Sequence, residues 1–394
     1  MKKSNHLMPT YNRSPVAFAY GEGAWLFDTE GKKYLDAISS IAVCPLGHAH
    51  PAFTKALTEQ CSKLIHTTNL YQIPLQDELA ERLCQDSGMQ EVFFANSGTE
   101  ANEAAIKISR MYGHKKGFSI PQIIVMEGAF HGRSMGSLSA TYNTKHQEGF
   151  GPLLEGFVRV PLNDVRAVEK TIAANPEVVA IMLEPIQGES GINPCSSDYL
   201  ESLQKLCDEH ELLLILDEVQ TGNGRTGTYF SFQHSSVQPD VLTTAKGLGN
   251  GFPMGACLVG GRALNVLEAG HHGSTFGGSP LACAAGIAVN RAIHEEKLME
   301  NAQVKGARIL AGLRTELADI PQFKEVRGLG LMLGIELSIP CTALVGLARA
   351  NGLLITVQMD KVIRLLPPLN ITDAEADFIV TTLARVIREF CDES

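Results

Sequence analysis

Hydrophobic positions along the chain follow two alternating rhythms. EVFFA (Glu91 to Ala95), QIIVM (Gln122 to Met126), VVAIMLE (Val178 to Glu184), LLLILDE (Leu212 to Glu218) and VLTTA (Val241 to Ala245) are short runs, most of them apolar on both faces. Such runs have the length and composition of strands covered on both sides. Between them, apolar residues return every three to four positions. Ala101, Ala104, Ala105, Ile108 and Met111 share one face of a helix predicted from Glu100 to Tyr112, and another helix begins near Asp198. Strands alternating with helices predict an α/β chain with a mostly parallel sheet covered by helices.

After Pro280 the rhythm breaks into shorter pieces. An alanine-rich helix opens there, glycine-punctuated strands follow around Val326 to Leu337, and a further strand ends in IRLLPPL (Ile363 to Leu369). Thr372 and Glu375 predict a capping box for a last helix, whose stripe of Ile379, Leu383, Val386, Ile387 and Phe390 reads as core. A second, smaller unit is therefore expected from residue 281 to 394.

Composition narrows the function classes. A chain of 394 residues with 44% hydrophobic content can bury a large core and form more than one domain. The net charge of −10, with no basic run, argues against nucleic acid as a partner. Nine scattered cysteines without CxxC spacing fit a reducing compartment, the cytoplasm. No apolar stretch follows the two N-terminal lysines and none approaches ~18 residues, so neither secretion nor a membrane span is expected.

In a doubly wound sheet the loops at the carboxyl ends of the strands converge on one crevice. NSGTEANEAAIK (Asn96 to Lys107) follows a strand and opens a helix. Free N–H groups at Gly98 and Thr99, the Thr99 hydroxyl and the positive helix end could hold a phosphate; the same residues, with Ser97 as cap, also describe an ordinary helix start. GAFHGRSMG (Gly128 to Gly136) offers Phe130 to stack on a flat ring and Arg133 as a fork for a carboxylate, or else a packed phenylalanine and a surface arginine. Asp217, after five apolar residues, lies at a buried strand end and requires a cationic partner. Glu218 and Gln220 read as further ligands or as plain hydrogen-bonding residues. No metal is expected, because His48, His50, His131, His271 and His272 lack a ligand spacing.

Lys246, in TTAKGLGNGFPMG (Thr243 to Gly255), ends the strand after Asp217 and reaches the same crevice. A partly buried amine is a nucleophile toward aldehydes, although standing alone a lysine in a glycine loop reads rather as a surface residue. The combination is more specific than its parts. A lysine, a carboxylate for a ring nitrogen, an aromatic for a ring face and an anion site together describe a pocket for pyridoxal 5'-phosphate. HHGSTFGGSPLACAA (His271 to Ala285) adds the hydroxyls of Ser274 and Thr275.

These motifs, with YLDAISSIAVCPLGHAHP (Tyr34 to Pro51), NLYQIPLQDELAERL from Asn69, AFHGRSMGSLS, EPIQGESG (Glu184 to Gly191), LDEVQTGNGRTG (Leu216 to Gly227) and IRLLPPL, cover nearly the whole length. The chain resembles the class III (subgroup II) pyridoxal-phosphate aminotransferases of fold type I, most closely those acting on acetylornithine. The resemblance implies a large cofactor domain over residues 51–280, with a smaller α+β domain built from both ends, residues 1–50 and 281–394. It implies Lys246 and Asp217 as catalytic residues, with cofactor contacts from Ser97, Gly98, Thr99, Phe130, Glu218, Val219, Gln220 and Thr275. Arg133, Ser274, Glu189 and Arg364 are the implied substrate residues, Glu189 pairing with Arg364 when glutamate is absent. It further implies a homodimer with shared active sites, Thr275 reaching the neighbour's cofactor phosphate. The implied reaction moves the terminal amine of N2-acetylornithine to 2-oxoglutarate, giving N-acetylglutamate 5-semialdehyde and glutamate in arginine biosynthesis. Ser40, Cys44, Pro45 and Ser279 depart from the family pattern near the substrate entrance. Succinylornithine, N-succinyl-diaminopimelate, ornithine and 4-aminobutyrate therefore stay open as donors. A decarboxylase or racemase of the same fold would keep Lys246 and Asp217 without consuming 2-oxoglutarate, and a non-catalytic binder would make Lys246 incidental.

Overall fold

The computed structural model describes residues 6–392. Its centre is a seven-stranded sheet in the order Glu91–Ala95, Gly255–Val259, Val241–Thr244, Leu213–Asp217, Val178–Leu183, Gln122–Met126, Phe157–Val160. All five strands expected from the apolar runs are present, and Val178–Leu183 and Leu213–Asp217 are buried along their whole length. Glu184, Glu218 and Ala245 fall just beyond their strands, in the loops that form the site.

Two strands of this sheet were not expected from the apolar runs. Phe157–Val160 is a four-residue edge strand with an exposed arginine in it, and Gly255–Val259 opens on a glycine at the end of the glycine-rich segment. The second one matters for the site. It runs antiparallel to both of its neighbours, whereas the other pairs in the sheet are parallel. Antiparallel neighbours need no crossover helix, so the glycine-rich segment after Lys246 returns the chain directly to the next strand.

The helix expected from Glu100 to Tyr112 runs from Gly98 to Lys115, with the Ser97 hydroxyl accepting from Glu100 N (3.3 Å). The last helix, Asp373–Asp392, carries its capping box: Thr372 N donates to Glu375 Oε2 (2.8 Å) and Glu375 N to Thr372 Oγ1 (3.3 Å). Ile379, Leu383, Val386 and Ile387 are buried, and Phe390 packs half-buried against the same core.

Both chain ends meet in one sheet. The antiparallel strands Phe18–Glu22, Trp25–Asp28 and Lys33–Asp36 are joined by Leu353–Leu354, which pairs in parallel with Lys33–Asp36. A further antiparallel sheet holds Phe323–Leu329, Met332–Leu337, Val362–Leu365 and Thr356–Gln358. Between the N-terminal strands and the large sheet, Ser39, Ser40, Ile41 and Ala42 follow one another in left-handed backbone, with φ of 37°, 56°, 66° and 61°. Each non-glycine residue in that region costs roughly 1–2 kcal/mol, so surrounding contacts must hold the turn in place. Leu366 N donates to Ala37 O (2.7 Å) and Leu369 N to Pro45 O (2.7 Å), fastening this segment to the C-terminal chain. Among the described residues no helix is long and apolar enough to cross a membrane.

Candidate active site

A cavity of about 350 Å³ opens at the carboxyl ends of the central strands, lined by Ser97, Gly98 and Thr99, by Phe130 and Arg133, and by Asp217, Val219, Gln220 and Lys246. Residues spread over half the sequence thus face one space, as the strand-end rule requires.

On one side lies the start of the Gly98–Lys115 helix. Gly98 is required there, since an added Cβ would stand 2.7 Å from Val219 Cγ1. The Thr99 hydroxyl is engaged by the protein itself: it accepts from Arg133 N (3.1 Å) and Ser134 N (3.2 Å) and shares hydrogen bonds with Ser134 Oγ (2.8 Å) and Ser137 Oγ (2.7 Å). That network closes the Gly128–Gly136 loop over the helix end. The helix end keeps its free N–H groups and positive dipole for an anion.

Asp217 is buried, and both of its oxygens are used. Oδ2 accepts from Asn102 Nδ2 (2.7 Å) and from His131 Nδ1 (2.7 Å), and Oδ1 accepts from Val219 N (3.0 Å). The partner that faces this buried carboxylate is His131. Burial opposes charge on its ring, but the Asp217 hydrogen bond and the charges of Asp217 and Glu184 hold its pKa above the ordinary value. Asn102 is in turn oriented by Thr243, whose Oγ1 donates to Asn102 Oδ1 (2.7 Å). Neither Asn102 nor His131 was singled out as a site residue by the motif spacing. Asn102 could have been found as the polar residue one helical turn after Thr99, on the sheet-facing side.

Lys246 is half-buried, has left-handed backbone (φ 42°) and lines the cavity. Burial pushes its pKa down, and Arg364 adds to this, while Glu189, Asp217 and Glu184 pull it up. Phe130 stands half-buried with the Arg133 guanidinium 5.7 Å from its ring centre. Glu184 ties two walls together, accepting from Phe130 N (2.9 Å) and Gly188 N (3.3 Å); burial raises its pKa.

Beside Lys246 is an ion pair between a buried cation and a half-buried anion. Arg364 Nη1 donates to Glu189 Oε1 (2.7 Å) and to Gly188 O (3.0 Å), and Gln220 Nε2 donates to the same Glu189 oxygen (3.2 Å). Burial opposes the Glu189 charge, but Arg364 and Lys246 hold its carboxyl below the usual range.

Five residues expected at the site do not line the cavity: Glu189 and Arg364, whose ion pair lies behind its wall, and Glu218, Ser274 and Thr275. Glu218 turns into the core, accepting from Thr221 Oγ1 (2.6 Å), Ser231 N (2.8 Å) and Phe232 N (2.8 Å); the next residue along an extended chain faces away from its predecessor. Ser274 Oγ accepts from Asn96 Nδ2 (3.2 Å) and Gly277 N (3.1 Å), and Thr275 is exposed.

An amine, a carboxylate backed by a cation, an aromatic face and a helix N-terminus fit a phosphorylated aldehyde with a basic ring nitrogen. Two observations support that fit: the cradle at Gly98 has no room for a Cβ, and the buried His131 Nε2 has no hydrogen-bond partner among the described residues.

The aminotransferase class-III family model matches residues 8–387. The chain is 52% identical over 388 residues to the acetylornithine aminotransferase of Nitrosomonas europaea, covering 98% of this chain and 99% of the relative. It is 50% identical to acetylornithine aminotransferase 1 of Bordetella bronchiseptica, covering 98% of each. Among solved structures, the ornithine aminotransferase of Toxoplasma gondii ME49 superposes with a TM-score of 0.95 at 32% identity, covering 99% of this chain and 94% of that one. The N-acetylornithine aminotransferase of Stenotrophomonas maltophilia K279a gives 0.85 at 36% identity, covering 98% of each. The chain belongs to the class-III aminotransferases. It is a pyridoxal-phosphate-dependent transaminase with a fold type I architecture.

Proposed function

We propose that the enzyme moves the terminal amino group of N2-acetylornithine to 2-oxoglutarate, giving N-acetylglutamate 5-semialdehyde and glutamate. The observation that carries this reading is the Glu189–Arg364 pair beside Lys246. One pocket must accept glutamate, whose reacting carbon bears a carboxylate, and an acylornithine, whose reacting carbon bears only hydrogen and methylene. Arg364 serves the first by taking the carboxylate. Glu189 serves the second by covering a guanidinium that would otherwise be buried and unpaired.

Pyridoxal phosphate, when bound, supplies an aldehyde for the amine and a protonated ring that withdraws electrons from the reacting carbon. Asp217 holds the proton on the ring nitrogen, with His131 and Asn102 fixing its own charge and orientation. Lys246, its pKa lowered by burial, carries a proton to and from the donor carbon. Phe130 would stack on the cofactor ring, and Arg133 would hold the carboxylate at the far end of the acylornithine.

We propose further that the enzyme is a cytoplasmic homodimer. Thr275, exposed beside Phe276, reaches the partner's cofactor phosphate. Residues 51–280 act as the cofactor domain, with 1–50 and 281–394 forming the smaller one. A panel of amino donors with 2-oxoglutarate as acceptor tests the reaction: acetylornithine should give the highest kcat/KM. Ornithine is the runner-up, favoured by the superposition on the Toxoplasma ornithine aminotransferase. Faster turnover with ornithine or 4-aminobutyrate than with acetylornithine would replace the proposed donor.

A further inference from the structure

The reaction leaves one arginine of the GNGRTG stretch without a part. Arg225 is 2% exposed and pairs with no carboxylate among the described residues. Its Nη1 donates to the carbonyls of Leu331 (3.1 Å) and Pro367, and its Nη2 to Ser39 Oγ (3.4 Å). Burial pushes its pKa down to about 9, with Cys44 and Asp36 only partly offsetting the loss. A cation buried on carbonyl dipoles is costly to place.

Its acceptors come from three separate segments, and one of them leads into the cavity wall. Ser39 opens the left-handed turn, and the same turn leads into Val43, which lines the cavity. Pro367 follows the strand that carries Arg364, and Ser39 Oγ donates to Leu366 O (2.6 Å) in the same place. Arg225 itself sits in the loop that begins at Asp217 and Gln220. One guanidinium therefore joins the strained turn, the end of the Arg364 strand and the loop after Asp217.

We propose that Arg225 is a positioning residue for the substrate side of the cavity, clamping the left-handed turn to the end of the Arg364 strand so that Val43 and Arg364 keep their places. The proposal rests on the role of Arg364 given above. Strain explains why a clamp is required: four successive non-glycine residues in left-handed backbone, Ser39 to Ala42, relax unless held. The planar fork explains why it is arginine. A lysine would keep the charge but could not reach donors' acceptors on several segments at once.

The test is glutamate titration of the Arg225→Lys holoenzyme, followed through the cofactor's absorbance, beside steady-state rates. Cofactor content and limiting rate should stay near those of the parent enzyme, while the half-saturating glutamate concentration rises about tenfold, a loss of about 1.4 kcal/mol of binding. Adding Ser40→Gly, which removes the left-handed penalty at one position, should recover most of that loss. A limiting rate that falls together with cofactor content would overturn the proposal, as would independent, additive effects of the two substitutions. Should Arg225→Lys not yield folded holoenzyme, Ser39→Ala with and without Ser40→Gly decides between the same two results. Arg364→Ala is the control for the role beneath: if it titrates with glutamate as the parent does, the Arg364 assignment fails, while coupling between positions 225 and 40 still decides the clamp.

Discussion

Asp217 can keep a proton on the cofactor ring only if its own charge is secure, and the residues securing it come from elsewhere in the chain. Asn102 and His131 both donate to Oδ2, leaving Val219 N alone on Oδ1. Asp217→Asn keeps the shape and removes the charge, so cofactor should still bind while kcat falls by at least about a thousandfold. Near-normal turnover in that variant would take Asp217 out of the mechanism. His131→Phe tests the neighbouring charge. Asp217 raises the Lys246 pKa, and an imidazolium at His131 counters that effect. Without it the pH at which the holoenzyme's visible absorbance changes should move upward. An unchanged midpoint would mean that His131 is neutral packing.

Elements place these groups, and they differ in how plainly the sequence announces them. The five central strands were legible because burial on both faces leaves unbroken apolar runs, as in Leu213–Asp217. Gly255–Val259 was not, because it has only five residues and opens on a glycine directly after the glycine-rich loop, with no turn signal to set it apart. Lys246, Asp217, Phe130 and the Gly98 turn were legible from their places at strand ends. The Asn102–Asp217–His131 cluster was not, because it depends on which strands become neighbours. Glu218 shows the opposite failure: adjacent to Asp217 in sequence, it braces the turn at Ser231–His234 instead of the cavity. Burial raises its pKa to about 7, against the pull of Thr221, Ser231 N and Phe232 N. A carboxyl raised in this way stabilises the fold fully below its unfolded pKa, and that contribution is lost as pH climbs from about 4.5 through 7. Glu218→Gln does not titrate. Its melting temperature relative to the parent should therefore rise between pH 5 and pH 8, and an equal difference at both pH values would refute the buried titration.

At the scale of the whole molecule, three large apolar side chains stand out on the surface around Thr275. Leu70, Tyr71 and Phe276 are 87%, 71% and 62% exposed. Their loops are tied together by Asn69, which donates to Ser274 O (3.1 Å) and Gly277 O (3.0 Å). Exposed apolar groups of this kind, beside Thr275, suit a second copy of the chain. Phe276→Asp should shift the mass in solution from dimer toward monomer and lower cofactor retention with it; a parent enzyme that is monomeric and fully active would remove the shared site. We propose that one site serves two unlike donors by uncovering and covering Arg364, which is buried beside the cavity in its pair with Glu189. Single-turnover absorbance measurements on the holoenzyme, with glutamate alone and with N2-acetylornithine alone, test it most directly. Glu189→Ala should retain the glutamate half-reaction and slow the acetylornithine one, and Arg364→Ala should do most damage to glutamate. Equal slowing of both half-reactions by either substitution would contradict the switch and leave the pair as a fixed part of the wall.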